Sequence, residues 1–217
     1  MRGVGPGWFS FNVPGGRCDE CEGSGEVVID MQFLDDVRVP CEGCGGLRYR
    51  REVLEVRLEG RSISDVLSLT IDEAIEVFTR DRKIAGRLEP FSRVGLGYLT
   101  LGQPLSTLSG GEHQRVRLAQ ALAEDQRDVL FVLDEPTTGL HRVDIEILLD
   151  CLDELIEGGG SVLLVEHNLD VIRRADFVLD LGPEGGPDGG RVVAAGTPSQ
   201  VAQIGQSHTG AALRALQ

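Results

Sequence analysis

Lysine is nearly absent from this 217-residue chain, which has a single copy, Lys83, among its 21 basic residues. Nucleotide-binding proteins often hold phosphates with a lysine in a glycine-rich GxxxxGK[ST] loop, and the sequence has no such motif. It also lacks long hydrophobic runs, because "DVLFVLD" and "SVLLVEH" have the length of strands and cannot cross a bilayer. The first residues, "MRGVGPGWFSFN", contain no apolar signal region. We therefore expect a cytoplasmic protein without a membrane partner.

The charge balance is strongly acidic, with a formal net charge of −14. This excludes a protein that coats nucleic acid through its overall charge, although local basic patches can still bind phosphate. Hydrophobic residues make up 41% and charged residues 26% of the chain, which is typical of a globular protein. The length accommodates one domain, or one domain with a small additional module.

Cysteine is scarce but clustered. Four of the five cysteines form two CxxC pairs, Cys18 with Cys21 and Cys41 with Cys44. In a chain without an export signal, two such pairs predict a four-thiolate zinc site. The alternatives are four free cysteines in a core, or a redox-active CxxC pair. The fifth, Cys151, lies on the apolar side of a predicted helix and is expected in the core.

Arginines follow the second cysteine pair in the segment "LRYRRE", which contains Arg48, Arg50 and Arg51 around Tyr49. Arginine binds phosphate and tyrosine stacks on bases, so this segment is a candidate DNA contact. The alternative is a solvated strand edge without a ligand.

Three regions follow one another along the chain. Residues 1–58 are predicted to form a zinc-binding β-ribbon module, in which "EVVIDMQFL" and "YRREVLEVRLEG" are strands. Residues 59–108 are predicted to form a helical subdomain, with a capping box of Thr70 and Glu73 and a helix that breaks at Glu89, before Pro90.

Residues 109–217 alternate between helix and strand, which predicts an α/β fold. The expected helices are 109–124, 141–157 and 168–175, and the expected strands are 128–133, 161–166 and 176–181. Such alternation predicts a mostly parallel sheet covered by helices on both faces. A turn-rich segment, "GPEGGPDGGR", predicts a hairpin connection, and Thr197 is the predicted N-cap of a terminal helix.

Chemistry-bearing residues recur at the predicted junctions of this region. Ser109, Gly110, Gly111 and Glu112 form a capping box at a helix start, where free N–H groups and the helix dipole favour an anion.

"DVLFVLDEP" places Asp134 and Glu135 at the end of a buried strand, the Walker B pattern. Its aspartate suits Mg²⁺ and its glutamate suits an attacking water. "VLLVEHNLD" then places His167 after the next strand, within predicted reach of a γ-phosphate. The order and spacing of these motifs indicate nucleotide chemistry more strongly than any one motif does.

These segments resemble a known family. "LSGGE", "LFVLDEPTTGL" and "VEHN" are similar to the signature, Walker B, D-loop and H-loop of ABC-type ATPases. "FSFNVPGGRCDECEGSGEV", "VPCEGCGGLRYRREVLEV" and "VGLGYLTLGQPLSTLSGGE" are similar to the C-terminal part of UvrA, the damage-recognising subunit family of bacterial excinuclease ABC. The resemblance extends from about Gly5 to Gly210.

The resemblance implies a fold and a set of ligands. The implied fold is a partial ABC-type ATPase domain with a zinc-ribbon module and a helical signature subdomain. The implied role is in nucleotide excision repair and the SOS response. The resemblance assigns the four paired cysteines to Zn²⁺, and the Ser109–Glu112 loop, Asp134, Glu135 and His167 to ATP and Mg²⁺. Arg17 matches a DNA-facing stretch. The implied partners are damaged double-stranded DNA, a UvrA-like second subunit and a UvrB-like protein.

In this family the P-loop of the second half precedes the zinc module, so we expect the missing lysine in another, N-terminal segment. We therefore expect this chain to be inactive as an isolated ATPase and to have an uncovered apolar sheet face. Two alternatives stay open: a non-catalytic zinc-dependent DNA-binding module, and a UvrA-like self-resistance protein that acts on drug-modified DNA.

Overall fold

The computed structural model describes residues 5–29, 31, 37–182 and 189–216. It divides into two compact units. The first comprises Met1–Ser92 and Gly97–Thr107, and the second comprises Arg93–Leu96 and Leu108–Gln217. The predicted separation of residues 1–58 from residues 59–108 stays a prediction.

The first unit begins with a short 3₁₀ turn, Pro6–Phe9, and a hairpin. Its strands, β1 (Glu26–Ile29) and β2 (Val37–Pro40), are antiparallel, with Val27 opposite Val39. The strand predicted in "EVVIDMQFL" is confirmed for Glu26–Ile29, while residues 30 and 32–36 lie outside the described residues.

The strand predicted in "YRREVLEVRLEG" is wrong for its central part. Arg17 and Tyr49 form an antiparallel bridge, but the pairing stops there. Helix α1 (Arg51–Leu54) follows and buries Val53 completely. An apolar residue next to charged neighbours fits a strand and a single helical turn equally well, so the local pattern did not distinguish them.

Three helices complete the first unit: α2 (Ile63–Leu67), α3 (Ile71–Val77) and α4 (Arg82–Phe91). The predicted capping box of α3 is confirmed, since the Glu73 N–H donates to Thr70 Oγ1 at 3.2 Å and the Thr70 N–H donates to Glu73 Oε2 at 2.8 Å.

The predicted break of α4 at Glu89 is wrong, because the helix continues through Pro90 to Phe91. A proline removes the hydrogen bond that its N–H would donate to the carbonyl four residues earlier, and α4 continues for one residue past this lost bond. A wide helical turn, Ser92–Leu96, follows, and the chain changes direction at Gly95, whose φ is 74°. That left-handed conformation favours glycine.

The second unit alternates helices and strands as predicted. In chain order they are α5 (Gly110–Leu122), β3 (Leu130–Asp134), α6 (Arg142–Glu157), β4 (Ser161–Val165), α7 (Leu169–Arg174), β5 (Val178–Gly182), β6 (Arg191–Gly196), α8 (Pro198–Val201) and α9 (His208–Ala215). Strands β3 and β4 are parallel, with Leu130 opposite Ser161 and Asp134 opposite Val165. Their carboxyl ends are therefore level.

Strand β5 does not extend this parallel pair within the described residues. It pairs antiparallel with β6, from Val178 opposite Gly196 to Gly182 opposite Arg191. This pairing confirms the predicted hairpin, whose connection at residues 183–188 lies outside the described part of the chain. The turn-rich connection lets β6 fold back onto β5. Thr197 caps α8 as predicted, through a capping box with Gln200.

One hydrophobic cluster of the second unit lies on one side of the β3–β4 pair. Ile145 and Leu149 of α6 pack with Val171 of α7, and Leu164 of β4 packs against them. Cys151 is buried in α6, as predicted, with Sγ 3.7 Å from the Arg93 carbonyl oxygen.

In the described part of the chain the opposite side of the pair is uncovered, which confirms the expected uncovered apolar face and contradicts the helices predicted on both faces by the alternation of strands and helices. The side chains of Leu130, Val132, Leu163 and Val165 are 51–64% exposed there and form an open apolar face. In the described residues, no helix is both long enough and apolar enough to span a membrane.

Candidate metal and nucleotide sites

The four paired cysteines converge. Their Sγ atoms all lie within 4.8 Å of one another. Cys18 Sγ is 3.9 Å from Cys41 Sγ, and Cys21 Sγ is 3.7 Å from Cys44 Sγ, while all four thiols are free. A disulfide needs about 2.05 Å, whereas four sulfurs placed tetrahedrally at about 2.3 Å from a zinc ion lie about 3.8 Å apart. The spacing fits a metal.

Two tight turns aim the thiols at this point. The backbone N–H groups of Gly25 and Arg48 donate to Cys21 Sγ and Cys44 Sγ, each at 3.3 Å. Both donors follow their cysteine by four residues and have positive φ values, 80° and 71°. Such N–H groups stabilise negative charge on sulfur and are the typical outer partners of a metal thiolate.

The electrostatics of the thiols also fit a cation. Burial raises the pKa of Cys44 to about 12. Burial acts in the same direction on Cys21, but hydrogen bonds from Gly25, Gly23 and the neighbouring thiols outweigh it and lower the pKa to about 7. Like charges on four adjacent sulfurs repel, and Zn²⁺ binds thiolates, so the cluster is suited to a bound cation that keeps the thiols deprotonated.

The predicted DNA-contact arginines lie around this cluster, and three of them have partners in the protein. Arg17 pairs with Glu22 at 3.3 Å, and Arg50 pairs with Asp19 at 2.6 Å. The Arg48 guanidinium lies 5.3 Å from the ring centre of Phe11, a cation–π distance. Arg51 is exposed at the start of α1. The arginines are thus near one another, but much of their charge is already balanced.

The start of α5 has the predicted capping box. The Glu112 N–H donates to Ser109 Oγ at 3.2 Å, and the Ser109 N–H donates to Glu112 Oε2 at 2.7 Å. The amides of Gly110 and Gly111 belong to the first turn of the helix, where N–H groups have no carbonyl partner within the helix. A helix start of this kind favours an anion.

The start of α5 and the end of β3 border one cavity of about 300 Å³. Its lining residues are Gly110, Gly111, Gln114, Asp134, Glu135 and Thr138. Gln114 Nε2 donates to the Asp134 carbonyl oxygen at 3.4 Å and links the two elements. The structure thus brings anion-binding amides and two exposed carboxylates together. Carboxylate oxygens are the protein ligands that Mg²⁺ prefers.

His167 lies beside Glu135 at the level ends of β3 and β4. The Glu135 N–H donates to the Val165 carbonyl oxygen at 2.8 Å and extends the strand pairing by one bond. Glu135 itself has a φ of 44°, a strained backbone conformation that is concentrated at functional sites. Glu135 Oε1 lies 3.7 Å from His167 Nδ1, and Glu135 Oε2 accepts from Thr138 Oγ1 at 3.3 Å.

The comparisons with known proteins agree with this geometry. A family model described as ABC transporter matches residues 24–138, more than half of the chain. This chain belongs to the ABC family. UvrABC system protein A of Pseudomonas aeruginosa is 54% identical over 216 residues, which is 99% of this chain and 23% of that protein. The protein of the same name from Thermus thermophilus is 55% identical over 213 residues, or 98% and 22%.

Among solved structures, the crystal structure of UvrA2 from Deinococcus radiodurans has a TM-score of 0.94 and 50% identity. It covers 99% of this chain and 26% of that one. The chain is therefore similar to UvrA proteins over nearly all of its own residues, as the sequence motifs predicted. The chain spans about a quarter of the length of the UvrA proteins that it matches.

One residue at the edge of this sheet was missed by the sequence reasoning. Glu166, between β4 and His167, accepts four hydrogen bonds. Burial acts to raise its pKa, but hydrogen bonds from the Thr137 side chain and the backbone of Asn168, Thr137 and His167 lower it overall. The sequence does show an acidic residue directly after the strand that follows the Walker B strand. It does not show that this residue binds Thr137, because that contact depends on the pairing of β3 with β4.

Proposed function

We propose that this chain is the C-terminal portion of a UvrA-like DNA damage-recognition ATPase of nucleotide excision repair. The observation that carries the proposal is the placement of Asp134, Glu135 and His167 at the ends of two parallel strands, in a chain that is similar to UvrA over nearly its whole length. The similarity to UvrABC system protein A supports the repair role, and the two carboxylates with the histidine support the hydrolysis chemistry.

Each residue at this edge has a proposed role in ATP hydrolysis. Asp134 holds Mg²⁺, directly or through water, and Glu135 orients or deprotonates the attacking water. His167 contacts the γ-phosphate. Bound Mg²⁺ neutralises charge on the phosphates. The first-turn amides of Gly110 and Gly111 donate in trans, to phosphate oxygens of a nucleotide that another ABC half holds.

The proposed ATPase site is composite. Lys83 is the second residue of α4, outside any glycine-rich loop, so a different segment has to hold the β- and γ-phosphates. We assign that role to the remaining N-terminal part of a UvrA-like protein or to its second ABC half, in a UvrA-like dimer. The open apolar face supports such a partner, because exposed apolar patches mark interaction surfaces.

The thiol cluster is the proposed Zn²⁺ site, held by Cys18, Cys21, Cys41 and Cys44. Its role is structural, since four protein ligands close the coordination shell and leave no position for a substrate. The neighbouring arginines, Arg17, Arg48, Arg50 and Arg51, are the proposed contacts to damaged double-stranded DNA, with a UvrB-like protein as a further partner.

Isothermal titration of the purified chain with ATP and Mg²⁺ tests the composite site. We expect no stoichiometric binding and no turnover by the chain alone, and turnover after addition of a UvrA segment that carries the P-loop. Glu135→Gln should abolish that turnover, whereas Glu157→Gln, an equal change of charge at the exposed end of α6, should preserve it. Tight ATP binding by the lone chain would refute the composite site.

A non-catalytic DNA-binding module is the second candidate, favoured by the four converging thiols beside the arginines. It predicts that DNA binding is independent of nucleotide and of the P-loop segment. Fluorescence anisotropy with damaged and undamaged duplexes, with and without ATP, separates the two. Equal affinity for both duplexes in all conditions would favour the module and speak against damage recognition.

A further inference from the structure

Glu166 connects two loops that are distant in sequence. Its Oε1 accepts from the Thr137 N–H at 2.9 Å and from the Thr137 hydroxyl at 2.6 Å. Its Oε2 accepts from the His167 N–H at 2.9 Å and from the Asn168 N–H at 3.0 Å. One carboxylate therefore joins the loop after β3 to the loop after β4.

The chemistry of these contacts requires an ionised carboxylate. All four partners are donors, and only a deprotonated carboxyl group offers enough acceptor positions for them. Thr137 is buried, with 7% of its surface exposed, so its N–H and hydroxyl lack easy access to water as a replacement. Hydrogen bonds to a charged acceptor are the strongest of their kind, and a buried donor left unpaired is costly.

The two joined loops carry the two groups that face each other across the strand ends. Thr137 follows Glu135 by two residues, and the intervening loop is closed by a hydrogen bond from the Thr138 N–H to the Glu135 carbonyl oxygen at 3.1 Å. His167 is held directly by its own N–H. Glu135 Oε1 and His167 Nδ1, which are 3.7 Å apart, therefore belong to the two loops that Glu166 joins.

We infer that Glu166 is a positioning residue that fixes Glu135 and His167 relative to each other for the hydrolysis step. This inference rests on the proposed function, in which those two residues act on water and on the γ-phosphate. Glu166 itself does not reach into the cavity beside α5, so its effect passes through the two loops. The contact between Glu135 and His167 lies within this chain, so it is measurable in a sample to which no nucleotide is added.

The test compares Glu166→Gln with the unchanged chain by NMR. A glutamine offers one acceptor oxygen instead of two, so two of the four donors lose their partner. We expect the amides on the side that loses its acceptor, either that of Thr137 or those of His167 and Asn168, to exchange with solvent about tenfold faster or more. We also expect the nuclear Overhauser effect between the His167 ring and the Glu135 side chain to disappear. Amides in the centre of α6 should keep their exchange rates.

Two further variants serve as a control and as an alternative test. Glu157→Gln makes the same chemical change at an exposed position of α6 and should alter neither measurement. If Glu166→Gln fails to fold, Thr137→Val removes a single hydroxyl donor, keeps every backbone donor, and should weaken the same contact to a smaller extent.

Unchanged exchange at all three amides would overturn the proposal. Faster exchange with an intact contact between His167 and Glu135 would also overturn it. Glu166 would then stabilise the two loops without positioning Glu135 and His167. Because the experiment contains no nucleotide, its outcome is independent of the ATPase proposal. The proposed function fails separately, if Glu135→Gln leaves the turnover of the completed protein unchanged.

Discussion

Removal of one thiol from the metal cluster is the sharpest test of the first unit. Cys41 is the best choice because its side chain is fully buried, with Sγ 3.9 Å from Cys18 Sγ. In Cys41→Ser, a hydroxyl that stays protonated near neutral pH replaces a thiolate and binds zinc much more weakly. The three remaining thiols then no longer close a tetrahedral shell.

The expected effect is large compared with the other contributions in this part of the chain. Structural zinc contributes about 10–16 kcal/mol to the folding of small zinc-binding peptides. Tyr49 and Val53 are the fully buried large apolar side chains described between residues 5 and 58. Each contributes about 1.5–3 kcal/mol, so together they do not replace the metal. We therefore expect Cys41→Ser to unfold this region locally.

Metal analysis and hydrogen exchange measure both consequences. The unchanged chain should bind one zinc ion, and Cys41→Ser less than one. The backbone hydrogen bonds from Cys18 to Arg48 and from Arg50 to Gly16, now 2.8 and 2.9 Å long, should lose their protection.

Cys151→Ser is the matched control for this experiment, since it changes a buried cysteine of α6 that lies outside the cluster. It should keep the zinc ion and the protected amides of the first unit. A Cys41→Ser protein that retains one tightly bound zinc, or full amide protection without zinc, would refute the structural role of the metal.

Three other predictions concern single interactions. Hydrogen bonds lower the pKa of Glu166 below its ordinary 4.5, so its stabilisation is complete above pH 4.5 and is lost as pH falls through the lowered pKa. The melting temperatures of the unchanged chain and Glu166→Gln should therefore converge in acid. Ser109→Ala should cost about 1 kcal/mol in urea unfolding, because the cap of α5 is lost. DNA affinity should fall steeply with salt, and Arg48→Ala should reduce that slope by about one.

The features that the sequence predicted correctly are mostly local. The capping boxes at Thr70 and Ser109 join residues three positions apart, so their hydrogen bonds follow from spacing alone. The α/β alternation and the parallel β3–β4 pair follow from hydrophobic patterning. The convergence of the cysteine pairs was predictable because CxxC turns have few other uses in this context.

The features that the sequence predicted wrongly depend on contacts between distant segments. Helix α1 forms where the bridge between Arg17 and Tyr49 ends, and neither the bridge nor its end is encoded by neighbouring residues. Helix α4 passes Pro90 and runs into the wide turn Ser92–Leu96, which the local pattern around the proline did not show.

Glu166 shows why the same limit applies to sites. Sequence patterns find residues that act on a ligand, because such residues sit at strand ends and helix starts that are recognisable by themselves. A residue that acts through other loops has no local pattern, and its partner Thr137 is 29 positions away. The contact between Glu166 and Thr137 follows from the register of β3 and β4, in which Asp134 lies opposite Val165. This register brings the loops after both strands to the same edge of the sheet. Any acidic residue directly after a strand that is parallel to a Walker B strand is therefore a candidate for this positioning role, provided that the adjacent loop offers buried donors.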